Sequence, residues 1–280
     1  DEILGIVNGT TNYILTQMTE YGLDYEDVLK DAQEKGFAER DPSGDVEGID
    51  VANKLSILMS IVFGIRIAPE DIPTQGITSI TKDDINFATQ FGYKIKLLAT
   101  AKKTERTVEC HVQPSLVPFE HPLASVSNEF NALFVKGNAV DDLMFYGKGA
   151  GPLPTGSAVL GDIIEIARAI DNGCAFDSTP ILKSYDNVIY GGEGKNKYYL
   201  KLIVEDRPGV LGSISSTFGK YGIGIASMMQ RPVPKKFSDG TVPLVFILHQ
   251  AERNVLDAAL EELYTHSYVS SLGSVIRVEE

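Results

Sequence analysis

Helical periodicity dominates the first quarter of the chain. Apolar residues recur every three or four positions after Asn8-Gly9-Thr10-Thr11, again between Asp24 and Gly36, and over about Asp50 to Phe63. Glycines at 22, 36 and 64 follow the three repeats, as is typical of helix ends. The sequence therefore predicts three helices here. The broad apolar face of the third predicts a helix that is buried on most sides.

The middle of the chain mixes helical spacing with runs that are typical of strands. Residues 82 to 91 and 157 to 170 have helical spacing. The strand-like runs are rich in β-branched or aromatic residues and lie at 94 to 101, 108 to 112, 132 to 135 and 143 to 146. This mixture predicts an α+β fold in which helices cover one face of a sheet.

A polar, glycine-rich link at 191–197 separates this region from a second one. The order after the link is strand, helix, strand, strand, helix, strand, at 198–204, 208–221, 223–230, 242–249, 253–264 and 272–278. That order predicts a ferredoxin-like βαββαβ module with two helices on one face of an antiparallel sheet. We therefore expect a domain at 1–190, a linker at 191–197 and a domain at 198–280.

Composition and charge narrow the class of partner. The formal net charge of −13 argues against nucleic acid, because phosphate binding needs clustered Lys and Arg, and favours a small-molecule ligand. No apolar run reaches the roughly 18 residues of a membrane span, and the start has no signal-peptide features, so we expect no membrane partner and a cytoplasmic location. Two cysteines and four scattered histidines predict neither a disulfide framework nor a metal site.

Candidate chemistry concentrates in the loop before the third helix. Five carboxylates lie between Glu39 and Asp50, and Asp50 and Lys54 are one helical turn apart, where their charges can meet. Carboxylates could take an α-ammonium group, while a lysine could orient an oxygen or protonate a carbonyl as it is reduced. Charge spacing alone favours a solvated ion pair. The apolar neighbours of Lys54 weaken that interpretation, because a buried ammonium needs a partner.

The same segment resembles the homoserine dehydrogenase signature at every defined position. The matching pattern is Ala32, three residues, Gly36-Phe37-Ala38, two residues, Asp41-Pro42, two residues, Asp45-Val46, one residue, Gly48, one residue, Asp50, three residues, Lys54. The opening Gly5 to Leu15 and the loop Gly149 to Thr155 are also similar to that family. The resemblance covers nearly all of Gly5 to Ile170.

This resemblance implies an enzyme that interconverts L-aspartate 4-semialdehyde and L-homoserine with NADP or NAD. It assigns Lys54 as the proton donor, places Glu39, Asp50, Asp45 and Thr10 at the substrate, and places Gly36, Gly149 and Gly151 against the cofactor. Glycine suits that last role because its backbone can approach a flat ring or a phosphate closely. Without the resemblance, residues 147 to 151 predict only a turn, and Thr10 fits a helix cap equally well.

Two departures from the family pattern change the expectation. Many relatives have a tyrosine where this chain has Phe37, so a contact by a phenol hydroxyl is lost. No Gly-x-Gly-x-x-Gly unit precedes Gly5, where the family has its dinucleotide fold and a second active-site lysine. We therefore expect a truncated form that is inactive alone. The alternative is a noncatalytic amino-acid-binding regulator, and another enzyme with a regulatory module explains Gly36 to Lys54 less fully.

The segment from Val204 to Leu211, with Ile214, Phe218, Gly219 and Ile223, resembles the ACT domain, a regulatory module of amino-acid metabolism. A proline-initiated helix there has free N–H groups that can hold a carboxylate. The resemblance implies side-by-side pairing, in a homodimer or homotetramer, and an amino-acid effector such as L-threonine. The effector-binding residues would be Asp206, Pro208, Gly209 and Val210. A structural dimerisation unit without a ligand remains an alternative.

Overall fold

The computed structural model describes residues 1–104, 107–173, 187–190, 194–231 and 240–279. The chain forms two compact units, the first with Asp1–Thr78, Leu97–Gln113 and Ser125–Gly192, and the second with Ser79–Lys96, Pro114–Ala124 and Glu193–Glu280. These units do not follow a single cut in the sequence. The division into 1–190, a linker at 191–197 and 198–280 therefore stays a prediction.

The described residues contain eight α-helices. In chain order they are α1 (Gly9–Tyr21), α2 (Tyr25–Glu34), α3 (Ser43–Val46), α4 (Ile49–Phe63), α5 (Lys82–Gln90), α6 (Pro152–Asp171), α7 (Val210–Lys220) and α8 (Arg253–Tyr264). Every helix predicted from the sequence is found, but the prediction that Pro208 starts α7 is wrong, because Gly209 in a left-handed conformation precedes the first helical residue, Val210. The sequence missed the short α3, and it placed the start of α6 five residues late because Pro152 occupies the first turn, where proline needs no N–H partner.

The described residues also contain ten strands. They are β1 (Glu2–Ile6), β2 (Tyr93–Lys103), β3 (Thr107–Pro118), β4 (Phe130–Gly137), β5 (Asp141–Lys148), β6 (Asn187–Tyr190), β7 (Asn196–Glu205), β8 (Ile225–Gln230), β9 (Thr241–Ala251) and β10 (Val269–Val278). All predicted strands are confirmed, and β1 and β6 were missed. Strand β1 is short, and its buried Ile3 and Leu4 take part in antiparallel pairing with both β2 and β4.

In the first unit, the strand order β5-β4-β1-β2-β3 places the segment after β1 next to the segment before β4. Asn8 caps α1 by accepting a hydrogen bond from the Thr11 N–H at 2.9 Å. Gly48 precedes α4 with a φ of 83°, and a Cβ there would lie 2.9 Å from a methyl carbon of Thr74. Glycine at position 48 thus fixes the start of the helix that carries Asp50 and Lys54.

The prediction that α4 is buried on most sides is wrong. One face packs into the unit through Val51, Leu55 and Met59, each at most 1 % exposed. The opposite face presents Ile57 and Ile61 to the surface, where they are 59 % and 67 % exposed. An apolar pattern cannot distinguish burial within the chain from an exposed apolar face, and α4 has both.

The second unit contains the predicted βαββαβ module, and its sheet order β10-β7-β9-β8 is antiparallel throughout. Helices α7 and α8 pack on one face around Leu200, Leu202, Phe218, Phe246 and Leu256, all at most 1 % exposed. The expectation of a ferredoxin-like α+β module is therefore confirmed. Within the part of the chain that is described, no helix is both long and apolar enough to cross a membrane.

Candidate active site

A cavity of about 490 Å³ in the first unit collects most of the predicted site residues. Three segments form its walls: the start of α1, the region from Lys35 to Lys54, and the strands and loop around β4 and β5. The residues lining it are Asn8, Gly9, Thr10, Lys35, Gly36, Phe37, Asp45, Asp50, Lys54, Glu129, Asn131, Lys148, Gly149, Ala150 and Gly151. This volume falls in the range of about 300–1,000 Å³ that small-molecule sites occupy.

Two carboxylates and one ammonium meet on the first wall. Lys54 Nζ lies 2.6 Å from Asp50 Oδ2 and donates to the Val7 carbonyl oxygen at 3.0 Å. Asn8 Nδ2 donates to Asp45 Oδ1 at 2.7 Å and to Asp50 Oδ2 at 2.9 Å. The side chains of Lys54 and Asp50 are 44 % and 35 % exposed. They are therefore held in place while still open to a ligand.

The second wall is the turn after α2. Thr10 Oγ1 donates to the Phe37 carbonyl oxygen at 2.7 Å, which ties this turn to α1. The rings of Tyr13 and Phe37 lie 4.7 Å apart, and Lys35 Nζ donates to the Tyr13 hydroxyl at 2.9 Å. Gly36 has a φ of 76°, a left-handed conformation that favours glycine. The hydroxyl of Thr10 thus positions the rim of the cavity.

The third wall is formed by β4 and the loop after β5. Gly149 lies so close to Asn131 that a Cβ at position 149 would overlap the Asn131 side-chain amide. Gly151 has a φ of 114°, which again requires glycine. Glu129 and Lys148 form an ion pair at 3.2 Å beside this loop. The pKa of the Glu129 carboxyl lies below its usual value, mainly because the carboxylate accepts a hydrogen bond from its own backbone N–H and secondly because Lys148 is close by.

Of the predicted residues in this unit, the structure brings together seven and leaves one apart. Lys54, Asp50, Asp45, Thr10, Gly36, Gly149 and Gly151 all line the cavity. Glu39 is exposed, is not among the lining residues, and has its carbonyl oxygen 3.0 Å from Gln33 Nε2. Its role at the substrate stays a prediction, as do the roles of the other seven.

Sequence reasoning missed Asn8, Lys35, Glu129, Asn131 and Lys148. A signal existed for Asn8, since it directly precedes a helix and its amide can cap and donate at the same time. No local signal marks Asn131, because strand pairing with β5 and the loop that follows bring it to Gly149. Contacts that depend on the register between two strands cannot be predicted from the spacing of residues in the sequence alone.

A second cavity, of about 330 Å³, lies where β7 turns into α7. All four predicted effector residues line it: Asp206, Pro208, Gly209 and Val210. Gly209 has a φ of 94°, and among the described residues no side chain caps the N-terminus of α7. Across this cavity, Gln230 Nε2 donates to Asp206 Oδ1 at 3.4 Å. An uncapped helix start combined with a donor amide suits a carboxylate ligand.

Comparison with known proteins identifies the family. The family model described as homoserine dehydrogenase matches residues 1–164, and the ACT-domain model matches residues 198–264. The chain belongs to the homoserine dehydrogenase family. Both resemblances inferred from the sequence are therefore confirmed.

Individual relatives agree with this assignment. Homoserine dehydrogenases from Corynebacterium glutamicum and Synechocystis sp. are 42 % and 40 % identical over 99 % of this chain, which covers 62 % and 65 % of their lengths. The solved homoserine dehydrogenase of Thiobacillus denitrificans has a TM-score of 0.90 at 36 % identity, over 100 % of this chain and 64 % of that one. The S. aureus homoserine dehydrogenase solved at pH 6.0 has a TM-score of 0.75 at 32 % identity, and the match covers 100 % of this chain and 65 % of that one. The chain thus spans less than two thirds of the length of these relatives.

Proposed function

We propose that the protein encoded by this gene is an NADP- or NAD-dependent homoserine dehydrogenase that interconverts L-aspartate 4-semialdehyde and L-homoserine, in threonine and methionine biosynthesis. One observation carries the proposal: Lys54, Asp50 and Asp45 face the same cavity as the glycine loop at 149–151. A proton donor, two anchors for an ammonium and a surface open to a flat ring are the groups that such a reaction needs.

The first wall, called the charged wall below because it contains Asp45, Asp50 and Lys54, suits a small zwitterionic substrate. Asp45 and Asp50 would hold its α-ammonium by charge-assisted hydrogen bonds, with Asn8 fixing both carboxylates. Asp50 and the Val7 carbonyl use two of the three N–H donors of Lys54, so the third can reach a substrate oxygen. In the reducing direction, Lys54 would donate a proton to the aldehyde oxygen as the carbonyl carbon gains a hydride.

The third wall, which contains the glycine loop at 149–151, fits a nicotinamide cofactor. Gly149 leaves no room for a side chain beside Asn131, whose Oδ1 is buried without a hydrogen-bond partner in the described part of the chain. Gly151 adopts a conformation that glycine favours and directly precedes Pro152, the first residue of α6. The nicotinamide, when bound, would supply the hydride.

The first test is homoserine-dependent reduction of NADP and NAD by the full gene product, assayed beside the 280-residue chain alone. We expect activity from the full product and none from the chain alone, because this chain covers only 62 % and 64 % of the length of two relatives. If the full product reduced neither cofactor, a noncatalytic amino-acid-binding regulator would become the better hypothesis. Activity in the chain alone would contradict the expectation that further residues are required.

We also propose that the module at 198–280 binds an amino-acid effector, with L-threonine as the candidate. The support is the cavity at the start of α7, with Asp206, Pro208, Gly209 and Val210 on its walls. Free N–H groups at a helix start attract a carboxylate, and a nearby acidic side chain can take an ammonium. The exposed edge strand β8 supports pairing with a second copy, as a homodimer or homotetramer of a cytoplasmic enzyme.

Gly209→Asp in the full gene product should abolish any response of the activity to L-threonine. The new carboxylate would place a negative charge at the helix start that is to receive the effector carboxylate. The matched control is Gly222→Asp, the same substitution at another left-handed glycine, φ 70°, which lies outside this cavity. Inhibition curves should be lost in the first variant and kept in the second. A retained response in Gly209→Asp would place the effector site elsewhere.

A further inference from the structure

Asn131 presents an orphaned acceptor in the wall of the active-site cavity. The residue lies at the start of β4, and its Oδ1 is buried with no hydrogen-bond partner among the described residues. A buried carbonyl oxygen without a donor costs free energy of folding, and such groups are rare in native proteins. An acceptor of this kind in a cavity wall is explained when the donor belongs to the ligand.

The backbone around Asn131 is fixed before any ligand arrives. Asn12 Nδ2 donates to the carbonyl oxygens of Asn128 and Phe130, at 2.9 Å and 3.1 Å, and so ties the start of β4 to α1. Register pairs Asn131 with Gly147 of β5, and the side-chain amide then lies against Gly149. A hydrogen-bonding group held on two paired strands and a helix is preorganised for its partner.

The charges around the cavity distinguish the possible donors. The Asp45 and Asp50 carboxylates lie in the wall that contains Lys54, and they suit an ammonium. The carboxylate of Glu129 is already paired with Lys148. Asn131 is uncharged, and its side-chain amide occupies the space that a Cβ of Gly149 would need. A neutral, planar N–H donor is therefore the matching ligand chemistry.

We infer that Asn131 is a cofactor-binding residue that accepts a hydrogen bond from the carboxamide N–H of the nicotinamide ring. The inference rests on the proposed function, since it requires a nicotinamide dinucleotide in this cavity. It adds a specificity element to the glycine loop: the loop admits a flat ring, and Asn131 selects a ring that bears an amide donor. Rings with the same outline but without that donor should bind more weakly.

Binding without turnover tests the inference. Dissociation constants for NADP and NAD, and for their 3-acetylpyridine analogues, are measured by calorimetry on the full gene product. The analogues replace the carboxamide NH₂ by a methyl group. The unaltered protein should bind the preferred nicotinamide form about ten-fold more tightly than its analogue, the worth of one buried hydrogen bond. Asn131→Ala should lose about ten-fold for the nicotinamide form and less than about two-fold for the analogue.

Each other outcome has a defined meaning. Equal losses for both ring types in Asn131→Ala would overturn the inference and leave Asn131 as a support for Gly149. Weaker binding of homoserine with unchanged cofactor binding would assign the acceptor to the substrate instead. Equal affinity of the unaltered protein for both ring types would overturn the inference without any variant. No binding of either dinucleotide by the unaltered protein would overturn the proposed function as well.

Discussion

Lys54→Ala in the full gene product should lower kcat for homoserine oxidation by about 10²–10⁴-fold, the usual contribution of a positioned general acid or base. The same variant should bind its dinucleotide with an unchanged dissociation constant, because the ammonium contacts Asp50 and the Val7 carbonyl on the charged wall. A loss in kcat without a loss in cofactor affinity separates a role in proton transfer from a role in cofactor binding.

A matched control is Lys136→Ala. Lys136 is also an ion-paired lysine of the first unit, with its Nζ 3.3 Å from Glu2, but it does not line the cavity. Its loss removes the same charge from the protein, so the net charge changes equally in both variants. Steady-state kinetics of the two variants should differ by at least about two orders of magnitude in kcat. Equal effects would remove Lys54 from the chemistry.

The order of most helices and strands was predictable from the sequence because local signals mark them, whereas α3, β1 and β6 have no such signal. Glycines at 22 and 64 adopt the left-handed conformation that ends α1 and α4. Asp50 and Lys54 could be paired in advance, since residues one turn apart on a helix meet regardless of the rest of the fold. Local periodicity was therefore sufficient to predict the Asp50–Lys54 pair in the charged wall of the site.

The remainder of the site depends on contacts between distant segments. Asn8 joins Asp45 and Asp50 across 37 and 42 residues, and Asn131 meets Gly149 through the pairing of β4 with β5. Neither contact follows from periodicity, because a sheet register is a property of two strands and a turn. The exposed isoleucines of α4 show a second limit of sequence patterns. An apolar pattern does not tell whether a helix face is buried within the chain or lies at its surface.

A buried ion pair on the second face of the βαββαβ sheet was also beyond the sequence. Lys201 of β7 lies 2.7 Å from Asp84 of α5, and their side chains are 9 % and 0 % exposed. The Tyr199 hydroxyl lies 3.0 Å from the same Asp84 oxygen. Burial, and then the Asp84 carboxylate, raise the pKa of Tyr199, which therefore stays a donor. Gly273 is required beside them, since a Cβ there would overlap the Lys201 side chain.

Lys201→Met should destabilise the second unit by about 3–5 kcal/mol, because Asp84 would keep a buried charge without its ammonium partner. Combining it with Asp84→Asn should restore most of that loss, since the amide retains the α5 cap without the charge. The matched control is Lys220→Met, which breaks an exposed pair with Glu262 and should cost at most about 1 kcal/mol. Urea unfolding gives the free energies, and hydrogen exchange in β7 and α5 locates the loss. Similar costs for the two single variants would show that burial adds nothing to the Asp84–Lys201 pair.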